Sequence, residues 1–249
     1  MITSLQSQEI IPGAERINLY IDKLIDKKVA VIANNTSIIK NGDRSVHLID
    51  SLLDRGVKIK KIFSPEHGFL GDKDDGEKIE DGLYKSIEVI SLYGKKRKIS
   101  NEDIEGIDVI VFDIQDVGVR FYTYLSTLHY AMEASSRTNK KIIILDRPNP
   151  NSFYIDGPVL EIENSSFIGL HPVPIVYGMT IGEYGKMING EGWLENKTKA
   201  ILLYNKLSSE NNLFLKFLTE NDEILTGISF GGSTKKKKNI YQLGYFLNL

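Results

Sequence analysis

Five short apolar runs, Val29 to Ala33, Ile59 to Phe63, Val109 to Phe112, Ile142 to Leu145 and Ala200 to Tyr204, recur along the chain with helix-patterned stretches between them. A run that is apolar at consecutive positions, and not only at alternate ones, buries both of its faces. That is the pattern of a strand inside a parallel sheet, and parallel neighbours require crossover segments, usually helices. Between the first two runs, Ser45 to Leu53 places Val46, Ile49, Leu52 and Leu53 on one helical face, and Gly56 follows as a C-terminal stop. Tyr122 to Ala134 places Tyr124, Leu125, Leu128 and Met132 at helical spacing between the third and fourth runs. Thr180 with Glu183 three residues on forms a capping box ahead of Tyr184, Met187 and Ile188, and this helix is expected to lead into the last strand. The fold class expected is α/β, a Rossmann-like, mostly parallel sheet with flanking helices. After about Ser208 the character changes to Asn-rich and Gly-rich sequence with scattered apolar residues, an irregular end in which Lys235 to Lys238 reads as a solvated turn or tail.

No glycine-rich phosphate-binding pattern follows any of the runs, so the topology does not carry a dinucleotide or ATP with it, and no cofactor is expected. The net charge of -2 offers no long-range field for a nucleic-acid backbone, and nucleic acid is disfavoured as a partner. Cysteine is absent, which removes disulfides, thiolate metal sites and thiol nucleophiles. His47, His67, His129 and His171 lack metal-ligand spacing, and no metal site is expected. No G-x-S-x-G elbow supports a serine nucleophile. No apolar run approaches the length of a membrane span, and Met1 to Glu15 has neither the basic start nor the apolar stretch of a secretory signal. By sequence the expected compartment is cytoplasmic; nothing here specifies an oligomeric state.

In open parallel sheets, ligands bind beyond the carboxyl ends of the strands, where loops and helix N-termini converge. Four of the runs deliver polar, turn-forming sequence to that edge: Asn34, Asn35 and Thr36; Ser64, Pro65, Glu66, His67 and Gly68; Asp113, Gln115, Asp116 and Arg120; Asp146, Arg147, Pro148, Asn149 and Pro150. Each group has a structural reading beside the functional one. Asn34 and Thr36 by themselves favour a capping role. Asp113 is as readily a loop-organising carboxylate as a ligand contact, and Arg147 is free to pair with Asp146 or Asp116. Glu66, enclosed by Pro65 and Gly68 directly after an apolar strand, is either an exposed loop glutamate or a partly desolvated acid suited to protonating a leaving group. Asp74, Asp75 and Glu77 around Gly76 form an acidic loop that could hold a second carboxylate. With the other nucleophiles removed, paired-carboxylate chemistry remains.

At these loops the sequence resembles the exo-β-N-acetylmuramidase family, long known as a bacterial domain family of unknown function. The matching segments are Asn34 to Thr36, Ser64 to Phe69, Ser91 to Gly94, Phe112 to Tyr124, Leu145 to Pro150, Asp156 to Pro158 and Gly178 to Glu183, in the family's order over roughly residues 10 to 195. The resemblance implies a Rossmann-like domain followed by a smaller α/β domain, with removal of terminal N-acetylmuramic acid from the non-reducing end of peptidoglycan fragments. It implies Glu66 as the catalytic carboxylate and Glu77 as its partner. Asn34, His67, Asp113, Asp116, Arg120, Tyr122, Asp146, Arg147 and Asn149 are implied to line the sugar site. An arginine facing the lactyl carboxylate is expected, because a guanidinium binds carboxylates in a bidentate fork. Family members usually carry an export signal and are often secreted or periplasmic, unlike the compartment read above. The family's second domain does not follow residue 205, so the expected division is a Rossmann-like catalytic domain over 1–205 and a remnant of a truncated second α/β subdomain over 206–249. Two readings follow: a glycoside hydrolase working with two carboxylates, or a non-catalytic muropeptide-binding remnant of such an enzyme.

Overall fold

The computed structural model describes residues 10–41, 44–69 and 81–205. The acidic loop with Glu77 and the whole of 206–249, including the lysine run, lie outside the described residues. The elements in chain order are β1 (Lys28–Ala33), β2 (Ile38–Asn41), β3 (Arg44–His47), α1 (Leu48–Asp54), β4 (Lys58–Ser64), β5 (Gly82–Tyr84), β6 (Ile87–Ser91), β7 (Val109–Asp113), α2 (Tyr124–Thr138), β8 (Lys141–Leu145), α3 (Ile181–Gly190) and β9 (Ile201–Asn205), with short 3-10 turns between them.

Seven strands form one sheet in the order β5-β6-β4-β1-β7-β8-β9, and β2 with β3 forms a separate hairpin. Every neighbour in the large sheet is parallel except β5, which runs antiparallel to β6. Each of the five apolar runs has become a strand of this sheet. The sheet is a Rossmann-like α/β arrangement, and burial on both faces explains why the central strands β1, β7 and β8 are apolar without alternation. On one face Ile32, Ile110, Phe112 and Ile144 pack with Leu125, Leu128 and Met132 of α2 and with Tyr184 and Ile188 of α3. On the other face Val31, Ala33, Val111 and Ile143 pack with Leu48, Ile49 and Leu52 of α1 and with Tyr20 and Leu24 of the N-terminal turns.

Two local expectations are corrected. The stretch from Ser45 is not helical from its start: Arg44–His47 is a strand paired antiparallel with Ile38–Asn41, Val46 lying opposite Ile39, and α1 begins only at Leu48. The switch falls at His47, whose ring Nδ1 accepts the Ile49 N–H at 3.2 Å and so caps the helix. Hairpin pairing thus takes residues that helical spacing alone assigns to α1. The strand Ile87–Ser91, which lacks an unbroken apolar run because Glu88 is exposed, was not among the five expected. By contrast, the capping box is present in full, with Thr180 accepting from Glu183 N–H and the Glu183 side chain accepting from Thr180 N–H.

Candidate active site at the carboxyl edge of the sheet

Parallel register brings the ends of β4, β1, β7 and β8 to one edge, because Ile32 pairs with Phe63 and Phe112, and Phe112 with Ile144. The loops carrying Asn34, Glu66, Asp116 and Asp146 therefore leave the sheet side by side. After β4 the chain closes a turn in which the Gly68 N–H donates to the Pro65 carbonyl at 3.1 Å. The third residue of that turn, His67, has φ 71 and Gly68 has φ 78. A histidine in the left-handed region is an uncommon and costly conformation that persists where the surroundings impose it. The turn holds Glu66 half-buried, and the Thr123 hydroxyl, just before α2, donates to its Oε2 at 2.7 Å.

Asn34 faces the same place. Its side-chain amide donates to the Tyr124 hydroxyl at 3.2 Å, and its Oδ1 accepts the Thr36 N–H at 3.0 Å, so the capping role and the position at the site edge coexist. The Thr36 hydroxyl in turn accepts the Gln115 N–H at 3.0 Å and ties the β1 loop to the β7 loop. Burial pushes the Tyr124 hydroxyl up to about 12, helped by the neighbouring Tyr122, Glu66 and Asp116. Tyr122 is 39% exposed and meets the Tyr124 ring edge-on, with centroids 5.9 Å apart.

Asp116 is buried. Its Oδ2 accepts from the Gly118 N–H at 2.8 Å and from the Tyr177 hydroxyl in a short hydrogen bond. Burial raises its carboxyl to about 6, against the lowering effect of the Tyr177 hydroxyl and the Gly118 and Val117 N–H groups. The Tyr177 hydroxyl is itself raised well above its ordinary value by burial and by the Asp116 charge.

Other residues expected at the sugar site are turned to the scaffold. Asp113 and Arg147 form a buried two-point ion pair, Nε to Oδ1 at 2.6 Å and Nη2 to Oδ2 at 2.9 Å, and Arg147 also donates to the Ile38 carbonyl of the hairpin at 3.2 Å. The partner of Arg147 is thus Asp113, not Asp146 or Asp116. Asp146 accepts from the Thr180 hydroxyl and the Gly182 N–H, each at 2.8 Å, and anchors the start of α3, where a negative charge meets the positive end of the helix. Asn149 donates to the Met179 carbonyl at 2.7 Å and accepts the Asn151 N–H at 2.7 Å. Arg120 is half-buried and donates through Nη1 to the carbonyls of Pro158 at 2.9 Å and Val173 at 2.5 Å. It therefore closes the segment 158–173 onto the β7 loop.

Sequence reasoning missed Thr123, Tyr177 and a buried polar chain on the α2–α3 side of the sheet. In that chain Tyr184, His171, His129 and Glu133 follow one another at 3.1, 3.0 and 3.1 Å. Burial and the nearby His129 lower His171 to about 3, so it stays neutral, and Trp193 stacks on it at 4.5 Å. Only the spacing of His129 and Glu133 at i and i+4 was visible in the sequence; His171 and Tyr184 arrive from other segments. Among the described residues, no group of three His, Asp or Glu side chains is placed to hold a metal ion. No helix among them is long and apolar enough to cross a membrane.

The family model described as the N-terminal part of the exo-β-N-acetylmuramidase NamZ matches residues 29–212. The peptidoglycan β-N-acetylmuramidase NamZ of Bacillus subtilis (strain 168) is 41% identical over 177 residues, which cover 69% of this chain and 42% of that protein. Two crystal structures of DUF1343 family proteins from Bacteroides fragilis NCTC 9343 share the fold. One is 37% identical with a TM-score of 0.70, covering 82% of this chain and 53% of its own; the other is 35% identical with a TM-score of 0.72, covering 89% and 54%. The chain spans about half the length of these relatives or less.

Proposed function

Since this chain belongs to the exo-β-N-acetylmuramidase family through its N-terminal part, we propose that its sheet edge binds the sugar and supplies the acid of a glycoside hydrolase. The reaction proposed is removal of terminal N-acetylmuramic acid from the non-reducing end of peptidoglycan fragments. The observation that carries this reading is Glu66, half-buried on a turn with a left-handed histidine and held by the Thr123 hydroxyl at 2.7 Å. With Oε2 anchored, Oε1 is the atom assigned to the glycosidic oxygen. A fixed acid that gives its proton as the bond breaks contributes roughly a hundredfold to ten-thousandfold in rate. Charge developing on the sugar ring needs a second carboxylate, for which the acidic stretch ending at Glu77 remains the proposed source. Tyr122, exposed beside Tyr124, offers its ring to the apolar face of the sugar.

The test is release of chromophore from a chromogenic N-acetylmuramic acid glycoside. Glu66→Gln keeps the side-chain volume and removes the transferable proton, so turnover is expected to fall by roughly a hundredfold or more while sugar affinity survives. Near-normal turnover in that variant removes Glu66 from the mechanism. Sugar binding by the unaltered chain with no chromophore released favours the alternative of a muropeptide-binding module.

A further inference from the structure

The loop after β6 carries four consecutive cations, Lys95, Lys96, Arg97 and Lys98, in a chain whose net charge is -2. β6 runs parallel to β4, and the Leu92 N–H donates to the Ser64 carbonyl at 2.8 Å, so this loop leaves the same carboxyl edge as the Glu66 turn and stands beside it. Two of the cations are answered: Lys96 meets Asp103 at 2.6 Å and Lys98 meets Glu133 at 3.3 Å. Lys95 and Arg97 are exposed and have no ion pair among the described residues. Adjacent like charges repel, and here two of the four lack a counter-charge.

Arg97 is nevertheless held in place. Its Cζ lies 4.5 Å from the centroid of the Phe167 ring, Phe167 stacks on Tyr130 with centroids 6.1 Å apart, and the Lys98 Nζ lies 4.7 Å from the Tyr130 centroid. Phe167 is itself pinned, because the Ser126 hydroxyl donates to its carbonyl at 2.6 Å and the flanking Ser166 and Gly169 exchange backbone hydrogen bonds at 2.9 Å. Two cations and two rings thus form one ordered stack against α2. A long side chain ordered before its ligand arrives loses less freedom on binding. The Arg97 guanidinium has five N–H donors in a planar fork, and no acceptor among the described residues takes any of them. A ring contact made for packing alone does not need that fork free; Lys98, on the second ring, has spent its charge on Glu133.

The partner that fits is a carboxylate, since the fork matches two coplanar oxygens. Position indicates where that carboxylate comes from. Thr123, Ser126 and Tyr130 fall at i, i+3 and i+7, on one face of α2. At a rise of about 1.5 Å per residue, Ser126 and Tyr130 stand about 5 Å and about 10 Å along the helix from Thr123, the residue that holds Glu66. The stack is therefore a neighbour of the sugar at Glu66, on the path of the units that follow it. We propose that the Arg97 stack binds a carboxylate of the peptidoglycan fragment outside the sugar whose bond is broken. Two sources carry that chemistry, the lactyl group of the next muramic acid along the glycan and the acids of a stem peptide. This rests on the saccharide reading above and extends it from the terminal sugar to the polymer.

The experiment is calorimetric titration of the full chain carrying Glu66→Gln, so that ligand is not consumed, with thermal melting on the same samples. The ligands are the disaccharide N-acetylmuramyl-β-1,4-N-acetylglucosamine, the tetrasaccharide of two such repeats, and the disaccharide bearing a stem tetrapeptide. Adding Arg97→Gln is expected to lower affinity for one or both of the larger ligands by roughly tenfold, with the disaccharide changed by less than roughly twofold and the melting temperature unchanged. A loss confined to the tetrasaccharide assigns the lactyl carboxylate; one confined to the peptide-bearing ligand assigns the stem. Arg97→Lys keeps the charge without the fork and is expected to restore only part of the loss. Because the contact is exposed, added salt is expected to weaken it in the parent and to matter less in Arg97→Gln. If Arg97→Gln leaves all three affinities unchanged, or lowers all three alike, the assignment is overturned and the Glu66 reading stands. If the parent binds none of the three, the saccharide reading falls and this assignment with it.

Discussion

Arg147 illustrates how a charged residue at the carboxyl edge of the sheet is claimed by the scaffold. Its guanidinium meets both oxygens of Asp113 and the Ile38 carbonyl, so one side chain joins the ends of β7 and β8 to the hairpin. Removing one member of a buried pair leaves the other charge stranded, which costs about 3 to 5 kcal/mol, whereas replacing both by apolar groups of similar volume is often close to neutral. Arg147→Met is therefore expected to lower stability by about that amount, and Asp113→Leu combined with Arg147→Met to recover most of it. Chemical denaturation of the two single variants and the double variant checks this. If the double variant is as unstable as the sum of the singles, the pair is not the source of the cost. Glu66 and Asp116 differ from this pair in having no cation against them in the hydrogen bonds described, Glu66 meeting Thr123 and Asp116 meeting Tyr177 and Gly118. For Glu66 the residue-scale test is the turnover of Glu66→Gln given above.

At the scale of elements, the start of α3 joins local sequence to the sheet. Thr180 accepts the Glu183 N–H as a cap and at the same time donates its hydroxyl to Asp146 at 2.8 Å, which fixes α3 against the end of β8. Glu183 is raised to about 7 by burial and by the Asp146 charge, so the cap brings two acidic groups together around one helix start. Loss of a cap hydroxyl typically costs about 0.5 to 2 kcal/mol, and here a second hydrogen bond goes with it. Thr180→Ala is expected at about 2 kcal/mol, the upper end of that range, and Thr180→Ser near the unaltered protein. Equilibrium unfolding of both variants measures the difference; a Thr180→Ala variant no less stable than Thr180→Ser disproves the double role. Further along α3, Gly185 has Ile144 Cδ1 only 2.6 Å from where a Cβ would stand, which is why the helix can lie so close to β8.

For the molecule as a whole, β1 and β7 are the middle of the sheet, each with strand neighbours on both sides and a packed face above and below. At the margin, β5 is three residues long, runs antiparallel and has exposed Leu83. Opening free energies span from near zero at such edges to the global value in the centre. Hydrogen exchange is therefore expected to be slowest in 29–33 and 109–113 and fastest, within the sheet, in 82–84. Faster exchange in β1 than in β5 contradicts a single cooperative sheet.

The sequence by itself determined five of the seven strands of the sheet and the carboxyl edge at which their polar turns collect. Runs that are apolar at consecutive positions, such as Val29 to Ala33, Val109 to Phe112 and Ile142 to Leu145, can be satisfied only between two covering layers, and polar turns after four of the five runs fall on one side because parallel strands share a direction. The α3 cap was equally legible, since Thr180 and Glu183 act over three residues and need nothing distant. The hairpin at Ile38–Asn41 and Arg44–His47 was not, because pairing depends on a partner strand that helical spacing ignores. Among the polar residues, type and position named the edge but could not divide it into roles. Asp113 ends β7 and Asp116 stands three residues on, yet one is paired with Arg147 from the β8 loop and the other faces Tyr177. Which carboxylate meets a cation and which meets a hydroxyl is decided by segments remote in the chain. Only the tertiary structure brings those together.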